Sequence, residues 1–242
     1  MNISLHDTHF HLDLFQNPDQ LINQIEREKI YTIAVTNIPA VFSHLQNLLK
    51  GSKYIKPALG FHPELASHEK SQIPKFFDLL SQTRYVGEIG LDNYNKTSDD
   101  YATQKDIFKQ IIAACHRSGN KILTVHSRRA ERDVITAIGP DFSGKVILHW
   151  YSGNLTEIER ALSYGFYFSV NHAMTLSENG RKIIDSIPIE RILLETDGPF
   201  IKTSMQPSTP LITGMIVNQI AILKNEKNAA SVIYDNFKQL LS

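Results

Sequence analysis

Apolar positions along this chain recur in two rhythms that take turns. Short runs that read as apolar strands, β-branched most clearly at 31–35, fall at 5–8, 31–35, 55–59, 85–87, 122–125, 146–148, 166–170 and 192–194. Runs of that length and composition suit buried parallel strands. Between them the apolar residues return every three or four positions, as helices do. Leu21, Ile22 and Ile25 mark a helix over 18–29, and Val41, Leu45, Leu48 and Leu49 mark another over 39–49. The same spacing predicts helices over 71–81, 99–118, 128–138, 155–164 and 176–185, and two more over 211–223 and 229–241 that close the chain. Ser98 or Asp99 is the expected cap of the longest. Strands alternating with helices predict an α/β fold, a single (β/α)8 TIM barrel. The 242 residues suffice for one barrel, and nothing in the pattern asks for a second domain, so 1–242 reads as a single unit. Residues 202–210 are the most loop-like stretch, read either as a substrate-facing loop or as a surface connection.

Composition narrows the function classes. Lys plus Arg and Asp plus Glu number 25 each, for a formal charge of zero. That balance argues against a surface that coats itself with nucleic acid, while leaving room for a local phosphate site neutralised by metal ions. Cys115 is the only cysteine, which excludes an internal disulfide and suits a reducing cytoplasm. Its setting in a helical apolar run reads as buried packing. The first residues carry no signal-peptide pattern, and no apolar run reaches the ~18 residues of a membrane span.

The candidate chemistry begins at Leu5–Asp13, LHDTHFHLD, where His9 and His11 stand two residues apart. On a strand, that spacing points both imidazoles to one face. Catalytic groups in TIM barrels gather at the carboxyl ends of the strands. Glu88 follows the fourth predicted strand, His126 the fifth, His149 the sixth and Asp197 the eighth. Four imidazoles and two carboxylates are thus expected at one mouth. They exceed the needs of one tetrahedral ion and suit two divalent ions, Mg2+, Mn2+ or Zn2+. His9, His11 and Asp197 would surround the first, His126 and His149 the second, with Glu88 bridging. Such a pair suits phosphodiester hydrolysis, and equally the hydrolysis of cyclic amides or esters.

The ordered motifs DTHFHLD (7–13), GFHP (60–63), VGEIGLD (86–92), VHSRRA (125–130), HWYSG (149–153) and LLETDGPF (193–200) resemble the TatD family of metal-dependent deoxyribonucleases. Within it they are most similar to the QatD branch, the nuclease component of the bacterial Qat anti-phage system, which implies other Qat defence proteins as partners. The resemblance implies a metallo-dependent hydrolase barrel acting on DNA, with His9, His11, Glu88, His126, His149 and Asp197 as ligands and Asp197 as orienter of the attacking water. His62 matches a histidine near the mouth, read as a phosphate contact or as a loop residue. Asp92 matches an aspartate suited to supporting a ligand histidine. Arg128 and Arg129 are read as phosphate contacts or as the solvated start of a helix. Trp150 and Tyr151 are read as base-stacking residues or as rim packing. Two stretches depart from the family. Gln206-Pro207-Ser208-Thr209-Pro210 replaces an arginine-asparagine pair followed by proline, and Asn93-Tyr94-Asn95-Lys96 lacks an arginine often found there. Neither removes a metal ligand.

The expected function is divalent-metal-dependent hydrolysis of DNA, as an exonuclease on single-stranded or exposed ends. The rivals are a metal-dependent amidohydrolase acting on a small cyclic amide, ester or lactone, and a metal-containing scaffold subunit of a defence complex.

Overall fold

Strand and helix alternate along the chain as the periodicity requires. In the computed structural model, which describes residues 5–242, the order is β1 (His6–Phe10), α1 (Pro18–Glu28), β2 (Tyr31–Ala34), α2 (Pro39–Leu48), β3 (Ile55–Pro57), α3 (Ala66–Glu69), α4 (Ile73–Leu79), β4 (Tyr85–Gly90), α5 (Ser98–Ser118), β5 (Ile122–His126), α6 (Glu131–Ile138), β6 (Lys145–His149), α7 (Leu155–Ser163), β7 (Tyr167–Val170), α8 (His172–Leu176), α9 (Glu178–Ser186), β8 (Ile192–Leu194), β9 (Lys202–Thr203), β10 (Gln206–Pro207), α10 (Thr213–Lys224) and α11 (Ala229–Leu241).

Several boundaries differ from expectation, each for a local reason. The helix expected over 71–81 is shortened to α4, because 3-10 turns at Lys70–Gln72 and Leu80–Gln82 take its two ends, with a proline in the first turn of α4; α3 lies ahead of it. The helix expected from 128 starts at Glu131, because Arg129 takes a left-handed φ of 54° that no α-helix admits. The segment expected over 176–185 begins earlier, at His172, and divides at Ser177, whose extended backbone ends α8 while its side chain accepts from Gly180 N to cap α9. The cap of α5 is Thr97 rather than Ser98 or Asp99. Its Oγ1 accepts from Asp100 N at 3.1 Å, while Ser98 already lies in the helix. Residues 202–210 contain the β9–β10 hairpin, whose turn residues Ser204 and Met205 both have positive φ.

The chain separates into two compact units. The first comprises residues 5–34, Leu49–Lys56 and Phe168–Ser242. Here β1 runs parallel to β2, with His6 opposite Tyr31 and Phe10 opposite Ala34, and β7 runs parallel to β8. Side chains tie β1 to β8: Thr8 Oγ1 donates to Leu194 O at 3.0 Å, and Leu194 N donates to His6 Nε2 at 3.1 Å. Burial holds the His6 imidazole neutral, pushed down to about 3, and its ring stacks on Phe237 of α11 at 4.3 Å. Asn236 beside it donates to Ile189 O and Ile192 O, docking α11 against the start of β8. Phe10, Leu12, Ile25, Ile33, Phe168 and Phe237 form the buried core of this unit.

The second unit comprises Val35–Leu48 and Pro57–Tyr167. Here β4, β5 and β6 lie side by side and parallel, with Tyr85 opposite Ile122 and Gly90 opposite His126. Leu59 bridges to Val86, so the chain beyond β3 continues along β4. A Cβ on Gly90 would lie 2.0 Å from His126 O, at a backbone φ of 145°, so only glycine lets β4 and β5 approach this closely. Ile107, Phe108, Ile111, Ile112 and Cys115 form the buried stripe of α5. Each such side chain contributes roughly 1.5–3 kcal/mol on burial.

Candidate metal centre

In the first unit His9 is still within β1, whereas His11 has left the strand, with φ −93° and ψ 72°. The turn brings the imidazoles together all the same, with their Nε2 atoms 3.2 Å apart. Asp197 follows β8, and its Oδ1 lies 3.7 Å from His9 Nε2 and 3.5 Å from His11 Nε2. Its φ of 49° is left-handed, a conformation aspartate tolerates better than most residues. Asp197 N donates to His9 O at 3.0 Å, and His11 N donates to Gly198 O at 3.0 Å, so backbone bonds fix the three donors relative to one another. All three are buried.

Asp7 lies beneath this group. Its carboxylate accepts from His9 N at 3.0 Å, from Thr196 N at 3.1 Å and from the Thr196 hydroxyl. Burial lifts the carboxyl to about 8, outweighing the hydrogen bonds from Thr196 and His9. Asp7 therefore clamps the backbone that presents His9 to the backbone that presents Asp197. The sequence alone does not single it out; its partners follow from the full burial of β1, where a carboxylate demands hydrogen bonds.

In the second unit Glu88 lies inside β4 rather than after it. Its Oε1 stands 2.8 Å from His126 Nδ1, 3.1 Å from His149 Nε2 and 3.3 Å from His62 Nε2. Asp92 Oδ2 sits 2.8 Å from the other nitrogen of His126, so that imidazole has a carboxylate at each end. Burial alone would lift the Asp92 carboxyl, but hydrogen bonds from His126 and the Tyr94 amide hold it below its ordinary value. Burial likewise opposes charge on His126, yet Asp92 and Glu88 together raise it above the usual imidazole value. Gln104, from α5, accepts from Asp92 N at 2.8 Å and anchors this support. His62 accepts from Glu64 N at its Nδ1, which makes its Nε2, 3.3 Å from Glu88 Oε1, the nitrogen turned into the site. The structure thus brings His62 onto the same carboxylate oxygen as the two later histidines.

Each group fits a divalent ion. His9, His11 and Asp197 offer one ligand atom apiece, all within 4.8 Å of one another, and His62, Glu88 and His126 do the same. Imidazole nitrogens mixed with carboxylate oxygens are the donor set of Zn2+ and Mn2+ sites.

A cavity of 410 Å3 in the second unit is lined by His126, Ser127, Arg128, His149, Trp150 and Ser152. Arg128 and Arg129 lie in the turn before α6, their guanidinium carbons 3.8 Å and 4.8 Å from the centre of the Tyr94 ring. Trp150 is exposed. Tyr151 corrects the stacking expectation: it is 1% exposed, and its hydroxyl donates to Asn154 O at 2.7 Å, so its ring offers no face to a base. Tyr94 and Gln104 were not singled out from the sequence. Tyr94 lies in the stretch that departs from the family, and an aromatic ring there is the signal that was available.

The fold and these donor groups define a metal-dependent hydrolase of the α/β, TIM-barrel metallo-hydrolase type. The chain belongs to the TatD related DNase family, whose model matches residues 6–242. It is 27% identical to an uncharacterized metal-dependent hydrolase of Methanocaldococcus jannaschii, over 95% of this chain and 94% of that protein. It is 24% identical to the human deoxyribonuclease TATDN3, over 84% of this chain and 81% of the relative. The crystal structure of the TatD homolog YjjV from Escherichia coli K12 shares the fold, with a TM-score of 0.86 at 23% identity over 99% of this chain and 98% of that one. Among the described residues no helix is long and apolar enough to cross a membrane.

Proposed function

We propose that the protein is a divalent-metal-dependent deoxyribonuclease, an exonuclease on single-stranded or exposed ends, serving anti-phage defence alongside other Qat proteins. The observation that carries the nuclease reading is the 410 Å3 cavity, where two candidate metal donors, His126 and His149, share a wall with the guanidinium of Arg128 and the exposed ring of Trp150. A guanidinium matches a phosphate, and an indole face matches a base. A small cyclic amide or lactone calls for neither. The defence setting and the preference for ends rest on the resemblance to QatD and on the enclosed character of a barrel mouth.

In this reading His9, His11 and Asp197 hold one divalent ion, and Glu88, His126 and His149 another, with Mg2+, Mn2+ and Zn2+ as candidates. Bound divalent ions supply Lewis-acid polarisation of the phosphoryl oxygens and a lowered pKa for water. Asp197 orients the attacking water through a carboxylate oxygen and accepts its proton. Arg128 and Arg129, held over Tyr94, bind the phosphate. His62 stays outside the ligand set in this reading, and its Nε2, beside Glu88, donates a second contact to the phosphate. Asp92 keeps His126 presenting Nδ1 by accepting from Nε2.

The test is cleavage of labelled linear single-stranded DNA, duplex DNA and single-stranded RNA by apo protein reloaded with Mg2+, Mn2+ or Zn2+, beside Asp197→Asn. Metal-restored DNA hydrolysis that the substitution abolishes is the expected result. Wild-type cleavage by Asp197→Asn would remove the role given to that carboxylate, and closed single-stranded circles cut as fast as linear strands would remove the preference for ends. Metal binding without hydrolysis of any nucleic acid would favour the scaffold or amidohydrolase reading.

A further inference from the structure

A second cavity, of 420 Å3, opens on the first unit, and its lining contains no charged side chain. Gln16, Asn17, Gln20 and Gln24 supply four amides, while Phe15 and Pro199 supply flat apolar faces. Pro199 stands two residues past Asp197, a chain distance of at most ~7 Å. Phe15 stands one short turn past His11, with Phe15 N donating to Leu12 O. The cavity thus borders the loops that carry the first donor group.

Among the described residues, none of the four side-chain amides is hydrogen-bonded to the protein. Asn17 heads α1 yet makes no side-chain capping bond, although asparagine is among the best caps. Four amides around one concavity therefore stand ready for a ligand. A phosphate is a poor occupant, since no cation faces it. A nucleobase is a good one. Its edge presents donors and acceptors side by side, which an amide matches with two bonds, and its face stacks on rings. The volume falls within the ~300–1,000 Å3 span of small-ligand sites.

We propose that this cavity receives an unpaired nucleobase of the DNA strand engaged at the neighbouring donor group. The proposal rests on the nuclease reading, and its test keeps the two apart. Binding of phosphorothioate single-stranded oligonucleotides to the metal-loaded chain is followed by fluorescence anisotropy. An abasic residue is walked through the first positions from each end, and wild type is compared with the Asn17→Ala/Gln20→Ala variant. Both substitutions are at exposed positions, so the fold tolerates them. At one position the abasic site should weaken wild-type binding roughly fivefold to tenfold, and in the variant that penalty should vanish. Equal penalties in both proteins at every position would show four solvated amides and overturn the base site, as would absence of oligonucleotide binding. Parallel assays on unmodified oligonucleotides separate the readings. Base-dependent coupling without cleavage would overturn the nuclease and leave the base site standing, while cleavage without coupling would do the reverse.

Discussion

Asp92→Asn isolates what a buried carboxylate contributes to the second donor group. Asp92 Oδ2 lies 2.8 Å from His126 Nε2, and its other oxygen accepts from Tyr94 N at 2.7 Å. The two donors meet different oxygens, and an asparagine in the same place keeps an acceptor at only one of those two positions and puts NH2 at the other. If it keeps Tyr94, its NH2 faces His126 and favours the tautomer with the proton on Nδ1, the atom turned toward Glu88. If it keeps His126, the Tyr94 amide loses its acceptor and the charge behind the imidazole is still gone. A hydrogen bond to a charged group contributes ~1.5–3 kcal/mol, and ~1.4 kcal/mol is a factor of ten. Metal affinity at this group should therefore fall ~10- to 100-fold, the usual range for such supporting carboxylates. Competition with a chromophoric chelator reads it directly, with circular dichroism to verify the fold. The His9, His11 and Asp197 group should bind as before. Affinity within twofold of wild type at both groups would refute the argument that Asp92 sets the tautomer of His126.

The Tyr94 ring lies beneath Arg128 at 3.8 Å, so Tyr94→Leu removes a cation–π contact of ~0.5–1 kcal/mol; KM for single-stranded DNA should rise ~2- to 5-fold, and an unchanged KM would separate Arg128 from the substrate. Asn236→Ala strips donors from the carbonyls of Ile189 and Ile192, at ~2–4 kcal/mol, and should lower Tm by ~4–16 °C in thermal unfolding; a shift under about 2 °C would mean that water replaces the amide. Burial pushes the Cys115 thiol up to about 12, so a thiol reagent at pH 8 should label the protein only in denaturant, and rapid native labelling would show that α5 opens readily.

The alternation of strand and helix was legible because hydrophobic period is a local property. Strands at 31–35, 122–125 and 192–194 need only their own side chains to declare themselves, and the structure places β2, β5 and β8 there with shifts of one residue or none. His9 and His11 were legible for a similar reason, since two residues of spacing bring their nitrogens within 3.2 Å even though the strand ends between them. Boundaries set by backbone dihedrals were less so. The left-handed Arg129 that delays α6 has no signature in residue type.

Tertiary structure decided the rest. Asp7 and Thr196 meet across 189 positions, and Thr8 and Leu194 across 186, distances over which one residue's chemistry says nothing of its partner. Trp150 and Tyr151 are adjacent in sequence, yet one ring is exposed and the other buried with its hydroxyl on Asn154 O. The sequence by itself determined which donors and which periods exist. Which nitrogen of His126 faces Glu88, and which amides are left without a protein partner, followed only from folding, because hydrogen bonds are assigned by distances of about 3 Å in space and not by order along a chain.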